Sequence, residues 1–153
     1  MRKFAALLIG CAVLSGCTTL PFRHDLSFAA RDVSTADAGA LATDAAQMLA
    51  SIYPPAQTTL VLIPTAAAES EDMPTQAFEQ ALRAYGFGVV EAPRRADLPA
   101  PYGVPVRYRV TQLDGGVLLR LDYQGAAAAR FYRRGADGYL LTMAPFAVRE
   151  AAR

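Results

Sequence analysis

From Val104 to Gln124 the chain reads VPVRYRVTQLDGGVLLRLDYQ, with apolar residues at every second position. Val104, Val106, Tyr108 and Val110 alternate with Arg107, Arg109 and Thr111. Beyond the glycines, Val117, Leu119, Leu121 and Tyr123 alternate with Arg120, Asp122 and Gln124. A period of two puts each apolar set on one face of a strand and each polar set on the other. Two such runs around Gly115-Gly116 predict a β-hairpin with one buried face and one wet face. A two-residue Gly115-Gly116 loop sets Val110 opposite Leu121, Tyr108 opposite Tyr123 and Arg109 opposite Asp122. A three-residue loop would set Tyr108 against Asp122 and mix the faces, which a half-buried sheet resists. Both glycines can also take the positive φ of a type I′ turn, so the two-residue loop is the expected one.

The hairpin calls for neighbours. AAARFYRR, ending at Arg134, and YLLTMAPFAV, ending at Val148, read as two more strands joined through GADG. A three-residue turn over 124–126 would bring Phe131 opposite Leu119 and continue the antiparallel order. Upstream, QTTLVLIP is a short β-branched run closed by Pro64 and reads as a strand. DMPTQAFEQALRAYG follows as a helix, with Asp72 or Met73 as its cap and Pro74 in its first turn. Phe78, Ala81, Leu82 and Tyr85 form one face of it, and Gly86 stops it. Residues 87–91 make the next strand, which completes a β-α-β unit, and the proline-dense APRRADLPAPYG is an irregular connection. Before all of these, STADAGALATDAAQMLASIY carries Leu41, Ala45, Met48, Leu49 and Ile52 at helical spacing. Ser34 or Thr35 can cap that helix and Pro54-Pro55 ends it, giving a span of about 35–52. The expected fold is α+β. It starts with an N-terminal signal segment and a helix, and a β-α-β unit then leads into an antiparallel hairpin sheet. The sheet has about six strands with the second helix on one face; the first helix is packed on that layer or semi-detached.

The N-terminus decides where this domain sits. Arg2 and Lys3 precede an apolar stretch from Phe4 to Leu14, and Leu14-Ser15-Gly16-Cys17 follows. A basic start, an apolar run too short to span a bilayer, and small residues before a cysteine form the three-part layout of an export signal. L-S-G-C resembles the lipobox of bacterial lipoproteins. That resemblance implies cleavage between Gly16 and Cys17, a diacylated Cys17 thiol and an acylated new amino terminus. One acyl chain binds membranes only marginally, whereas several hold a protein there durably. Thr18, in place of the Asp that retains such proteins at the inner membrane, points to the outer membrane with the domain facing the periplasm. The organisation expected is a signal peptide over 1–16, a lipid-anchored tether over 17–33 and a single periplasmic domain over 34–153. Cys11 leaves with the signal and Cys17 is alkylated, so the chain's 2 cysteines are neither a redox pair nor a metal site.

Little chemistry remains. The signal removes two of the 15 basic residues and none of the 14 acids, so the exported part carries 13 − 14 = −1. That balance gives no reason to expect direct nucleic-acid binding. His24, the only histidine, falls in the tether, so no base stands beside a nucleophile. Glu69, Glu71 and Asp72 read as a solvated run and helix-start charge. DGG and GADG are turns, since neither opens a helix after a strand. No enzyme activity, cofactor or metal is expected beyond the covalent lipid on Cys17. Arg130, Arg133 and Arg134 are the candidate contacts for an acidic partner.

Taken in order, LSGC, AAQMLASIYPPAQTTLVL, QAFEQALRAYGFGVVE, PVRYRVTQLDGGVLLRLDYQG and ARFYRRGADGYLLTMAPFAVRE resemble TrbH. TrbH proteins are the small lipoproteins of conjugative mating-pair-formation (type IV secretion) systems. The resemblance covers essentially the whole chain. It implies a structural or assembly component of a DNA-transfer envelope apparatus, with other envelope proteins of the channel as partners and no catalytic residues to carry over. The alternative is an envelope ligand- or peptidoglycan-binding lipoprotein unrelated to conjugation.

Overall fold

A computed structural model of the chain describes residues 26–68, 71–92 and 103–150. The signal segment, Cys17, His24, Glu69 and most of the proline-dense connection lie outside the described residues. Among the described residues, two α-helices and eight strands follow in order: β1 (Phe28–Ala29), α1 (Thr35–Ala50), β2 (Thr59–Leu62), α2 (Met73–Ala84), β3 (Gly88–Glu91), β4 (Val104–Leu113), β5 (Gly116–Tyr123), β6 (Ala126–Arg134), β7 (Leu140–Thr142) and β8 (Ala147–Arg149). The fold is α+β, as the alternation and helical spacing predict.

The strands form one mixed sheet in the order β3-β2-β4-β5-β6-β7, with β1 also on β4 and β8 also on β6. β2 pairs parallel with both β3 and β4, which is the expected β-α-β unit. Since β5 covers one side of β4 along its length, β1 must pair at Arg109 and Val110 on the side held by β2. β7 and β8 likewise share the outer side of β6, so eight strands make six rows. The expected single last strand is split in two, and Pro145, which cannot donate a ladder hydrogen bond, lies in the break.

Both helices cover one face. α1 begins where the Ser34 hydroxyl accepts from the Asp37 N–H at 3.1 Å, and its buried side is mostly Leu and Ala. Those small side chains let α1 lie close against α2 while Leu41 and Leu49 reach the shared core. α1 is therefore packed on the layer and not semi-detached. α2 is capped by Asp72, whose carboxylate accepts from Thr75 N at 3.2 Å and from Thr65 N at 3.1 Å. Asp72 is thus a buried cap rather than solvated charge. From α2, the Phe78 ring stacks on Tyr108 of β4 at 4.2 Å, and the Thr75 and Tyr108 hydroxyls meet at 2.6 Å. The core beneath comprises Leu60, Leu62, Val106, Val110, Val117, Leu119 and Leu121, each at most 1 % exposed. Burying each such side chain contributes about 1.5–3 kcal/mol.

Within the stretch expected as tether, Ser27 stitches the chain to the sheet. Its N–H donates to Pro64 O at 3.0 Å, its hydroxyl donates to Ile63 O, and the same oxygen accepts from Tyr108 N at 3.1 Å.

Two registers differ from expectation. In the hairpin, Val110 pairs with Leu119, Tyr108 with Leu121, Arg109 with Arg120 and Arg107 with Asp122, which is a shift of two residues. The loop is Asp114-Gly115, closed by Leu113 opposite Gly116, and Gly115 alone has positive φ (+76°), so the turn is not type I′. A two-residue shift leaves every side chain on its own face, so alternation could not detect it. Gly116 belongs to β5. A Cβ there would sit 2.0 Å from Tyr132 O and 2.8 Å from the Phe131 ring, so β6 passes too close for any side chain.

At the next turn the error is one residue. Gln124-Gly125 is a two-residue loop with both φ positive (46° and 79°), and Tyr123 pairs with Ala126. Phe131 therefore pairs with Leu118, not Leu119. The slip reverses β6: Tyr132 is buried at 3 % exposure and Phe131 is exposed at 38 %.

Candidate interaction surface

Alternation along β6 separates the three arginines expected to act together, and its register decides which of them face the helices. Arg130 and Arg134 point under α1, whereas Arg133 lies on the opposite, helix-free face of the sheet. Arg130 Nη1 donates to Asp44 Oδ2 of α1 at 2.5 Å, and the Tyr132 hydroxyl donates to the same oxygen. The Phe146 ring covers the Arg130 guanidinium at 4.2 Å. Arg134 Nη1 and Nη2 hold the two Asp37 carboxylate oxygens at 3.3 and 2.9 Å, and Nη1 also reaches Gly138 O at 2.6 Å. The spacing explains the match. Asp37 and Asp44 are two helical turns apart, about 10 Å, and Arg130 and Arg134 are four strand residues apart, about 13 Å. Two acids seven apart on a helix, with two basic residues four apart on a strand, is a pattern the sequence carries. The pattern becomes a pairing only once the register of β6 sets Arg130 and Arg134 on the α1 side of the sheet.

The electrostatics fit a clamp. Burial alone would raise the Asp37 carboxyl, but the Arg134 hydrogen bonds and charge, with Ser34, hold it below the ordinary carboxylate value. Burial and the neighbouring Asp44 charge push the Tyr132 phenol far above its usual value, so it stays protonated as a donor. These groups can hold α1 against β6. Nothing in their arrangement activates a nucleophile. Among the described residues, no cluster of His, Cys, Asp and Glu is set to hold a metal.

Beside the clamp, a groove of about 750 Å³ runs between the end of α1 and β8, walled by Met48, Ile52, Tyr53, Tyr123, Phe146 and Val148. Tyr53 and Tyr123 meet edge to face at 6.3 Å at one end, and Tyr53 donates to Gln124 Oε1 at 3.0 Å.

The helix-free face is different in kind. Strand register places Arg107, Arg109, Arg120, Arg133 and Arg149 on it, with Asp122 as its one acid among the described strand residues. Arg120 grips Asp122 with Nε and Nη2 at 3.0 and 2.7 Å. Arg109 lies directly opposite Arg120, and Arg109 and Arg133 are exposed. Phe28, opposite Arg109, is 51 % exposed, and Leu141, opposite Arg133, is 45 % exposed. This side of the sheet is basic with apolar residues interspersed.

Gly16 and Cys17 fall outside the described residues. Among those described, no helix is long and apolar enough to cross a membrane. The family model for conjugal transfer protein TrbH matches residues 20–150. Neither a curated protein nor a solved structure gives a significant match.

Proposed function

Since the chain belongs to the TrbH family of conjugal transfer proteins, we propose that it is a lipid-anchored structural component of the envelope apparatus that transfers DNA between cells. The family match carries the transfer role, because it spans nearly all of the folded domain. Support for the anchor comes from the order of basic start, apolar run and Leu14-Ser15-Gly16-Cys17. On this reading the chain is cut between Gly16 and Cys17, acylated on Cys17 and held at the periplasmic face of the outer membrane. The role is assembly rather than catalysis. α1, α2 and the sheet share one core, and the clamp residues are spent on holding α1. Contacts with other channel proteins then fall to exposed surface, with Arg133 presented outward while Arg130 and Arg134 set the position of α1.

Metabolic labelling with a radioactive fatty acid tests the anchor. Wild type should incorporate label and Cys17→Ser should not, since a hydroxyl is too weak a nucleophile to receive the diacylglyceryl group. Equal label on both would remove the anchor from the account.

A further inference from the structure

Among the described residues, the helix-free face carries an electrostatic conflict. Like charges directly opposite one another on neighbouring strands destabilise a sheet. Arg109 and Arg120 are such a pair, and among the described residues the Asp122 carboxylate is held by Arg120. Arg133 adds exposed positive charge two rows along the same face. The exported chain carries about one net negative charge from its sequence, so this charge is segregated and not a reflection of overall basicity. An anion against the face would relieve the conflict. Guanidinium forks suit phosphate oxygens in particular, because they donate two parallel hydrogen bonds.

Two further observations select the kind of anion. Phe28, Phe131 and Leu141 are exposed among these arginines. Apolar side chains between cations are the arrangement by which a surface sits at the boundary of headgroups and acyl chains. Position supports the same choice. Phe28 follows Cys17 by 11 residues, a length that spans at most about 40 Å. A lipid on Cys17 therefore keeps this face within reach of the bilayer.

We propose that the Arg109–Arg133 face docks on the anionic phospholipid headgroups of the membrane that holds the anchor. The domain then lies against the bilayer, and α1 and the groove face away from it toward other channel proteins. The proposal rests on the lipid-anchored reading above.

The test uses the lipidated protein purified from membranes. A fluorescent probe is attached to Thr111→Cys, on the helix-free face, and in a separate preparation to Thr43→Cys, exposed on α1. With Cys17 alkylated, each variant has a single reactive thiol. Both are reconstituted with a nitroxide headgroup lipid in vesicles of phosphatidylcholine alone or with phosphatidylglycerol. Quenching at position 111 should appear with phosphatidylglycerol, weaken at high salt and fall to the phosphatidylcholine level in Arg109→Gln/Arg133→Gln. It should persist in Arg109→Lys/Arg133→Lys, and position 43 should stay unquenched throughout. Equal quenching of position 111 in both vesicle types overturns the proposal, and so does quenching that survives the double Gln variant. A protein that sediments with neutral vesicles while position 111 stays unquenched with phosphatidylglycerol overturns the docking face and leaves the anchor standing. A protein that fails to sediment with neutral vesicles contradicts the anchor itself. A probe that responds to an acidic polypeptide and not to phosphatidylglycerol overturns the proposal in favour of an acidic protein partner.

Discussion

Arg130 on β6 and Asp44 on α1 lie 2.5 Å apart, Nη1 to Oδ2, although 86 residues separate them in the chain. The contact joins the first helix to the far side of the sheet. It is a clamp whose two halves must remain together.

Asp44→Ala should destabilise the domain by about 2–3 kcal/mol. It leaves the enclosed Arg130 uncompensated and removes the acceptor of the Tyr132 hydroxyl. Tyr132→Phe should cost only about 1 kcal/mol, the usual net value of one hydrogen bond. Denaturant midpoints at a common slope check both. An Asp44→Ala midpoint equal to wild type would mean that α1 is held without the clamp.

Acid should loosen the other end of α1. The folded Asp37 carboxyl titrates below its ordinary value, so its contribution is fully present above about pH 4. That contribution is lost as the pH falls through the lowered folded value. Unfolding free energy measured from neutral pH down to about pH 3 should therefore fall less steeply in Asp37→Asn than in wild type. Parallel curves would show that Arg134 does not hold Asp37 in solution.

Gly116 should be the less replaceable of the two hairpin glycines. Gly116→Ala drives a Cβ into the β6 backbone at Tyr132 O, whereas Gly115→Ala meets open space and only the strain of positive φ. Gly115→Ala should cost about 1 kcal/mol, and Gly116→Ala should cost more or prevent folding. The reverse order, read from thermal midpoints, would contradict the Asp114-Gly115 register.

Those glycines also mark how far sequence reasoning reaches. Alternation from Val104 to Tyr123 assigned every side chain of the hairpin to its face, because a face needs only parity. Pairing needs the turn as well. Asp114-Gly115 and Gly115-Gly116 give the same faces, and only the closeness of β6 to Gly116 decides between them. At Gln124-Gly125 parity itself was lost, since glutamine is an unusual residue for positive φ and gave no sign of a two-residue turn. That one residue turned Phe131 outward and Tyr132 inward, and with them brought Arg130 and Arg134, rather than Arg133, under α1. The helices were legible from spacing and caps. The clamp was not, since Asp37 and Asp44 become partners of β6 only after the sheet has placed it.

Conjugal transfer itself tests the central claim most directly. In a donor lacking this gene, transfer frequency is measured after complementation with wild type or with Cys17→Ser. Both are followed by immunoblot, and the mutant carries a cleavable non-lipoprotein signal so that it is still exported. Wild type should restore transfer, and the exported, unlipidated form should restore it poorly, because anchoring raises the domain's effective concentration at the apparatus without any new contact. Full restoration by Cys17→Ser at equal abundance would contradict the anchored role, and normal transfer in the uncomplemented deletion would contradict the role in transfer altogether.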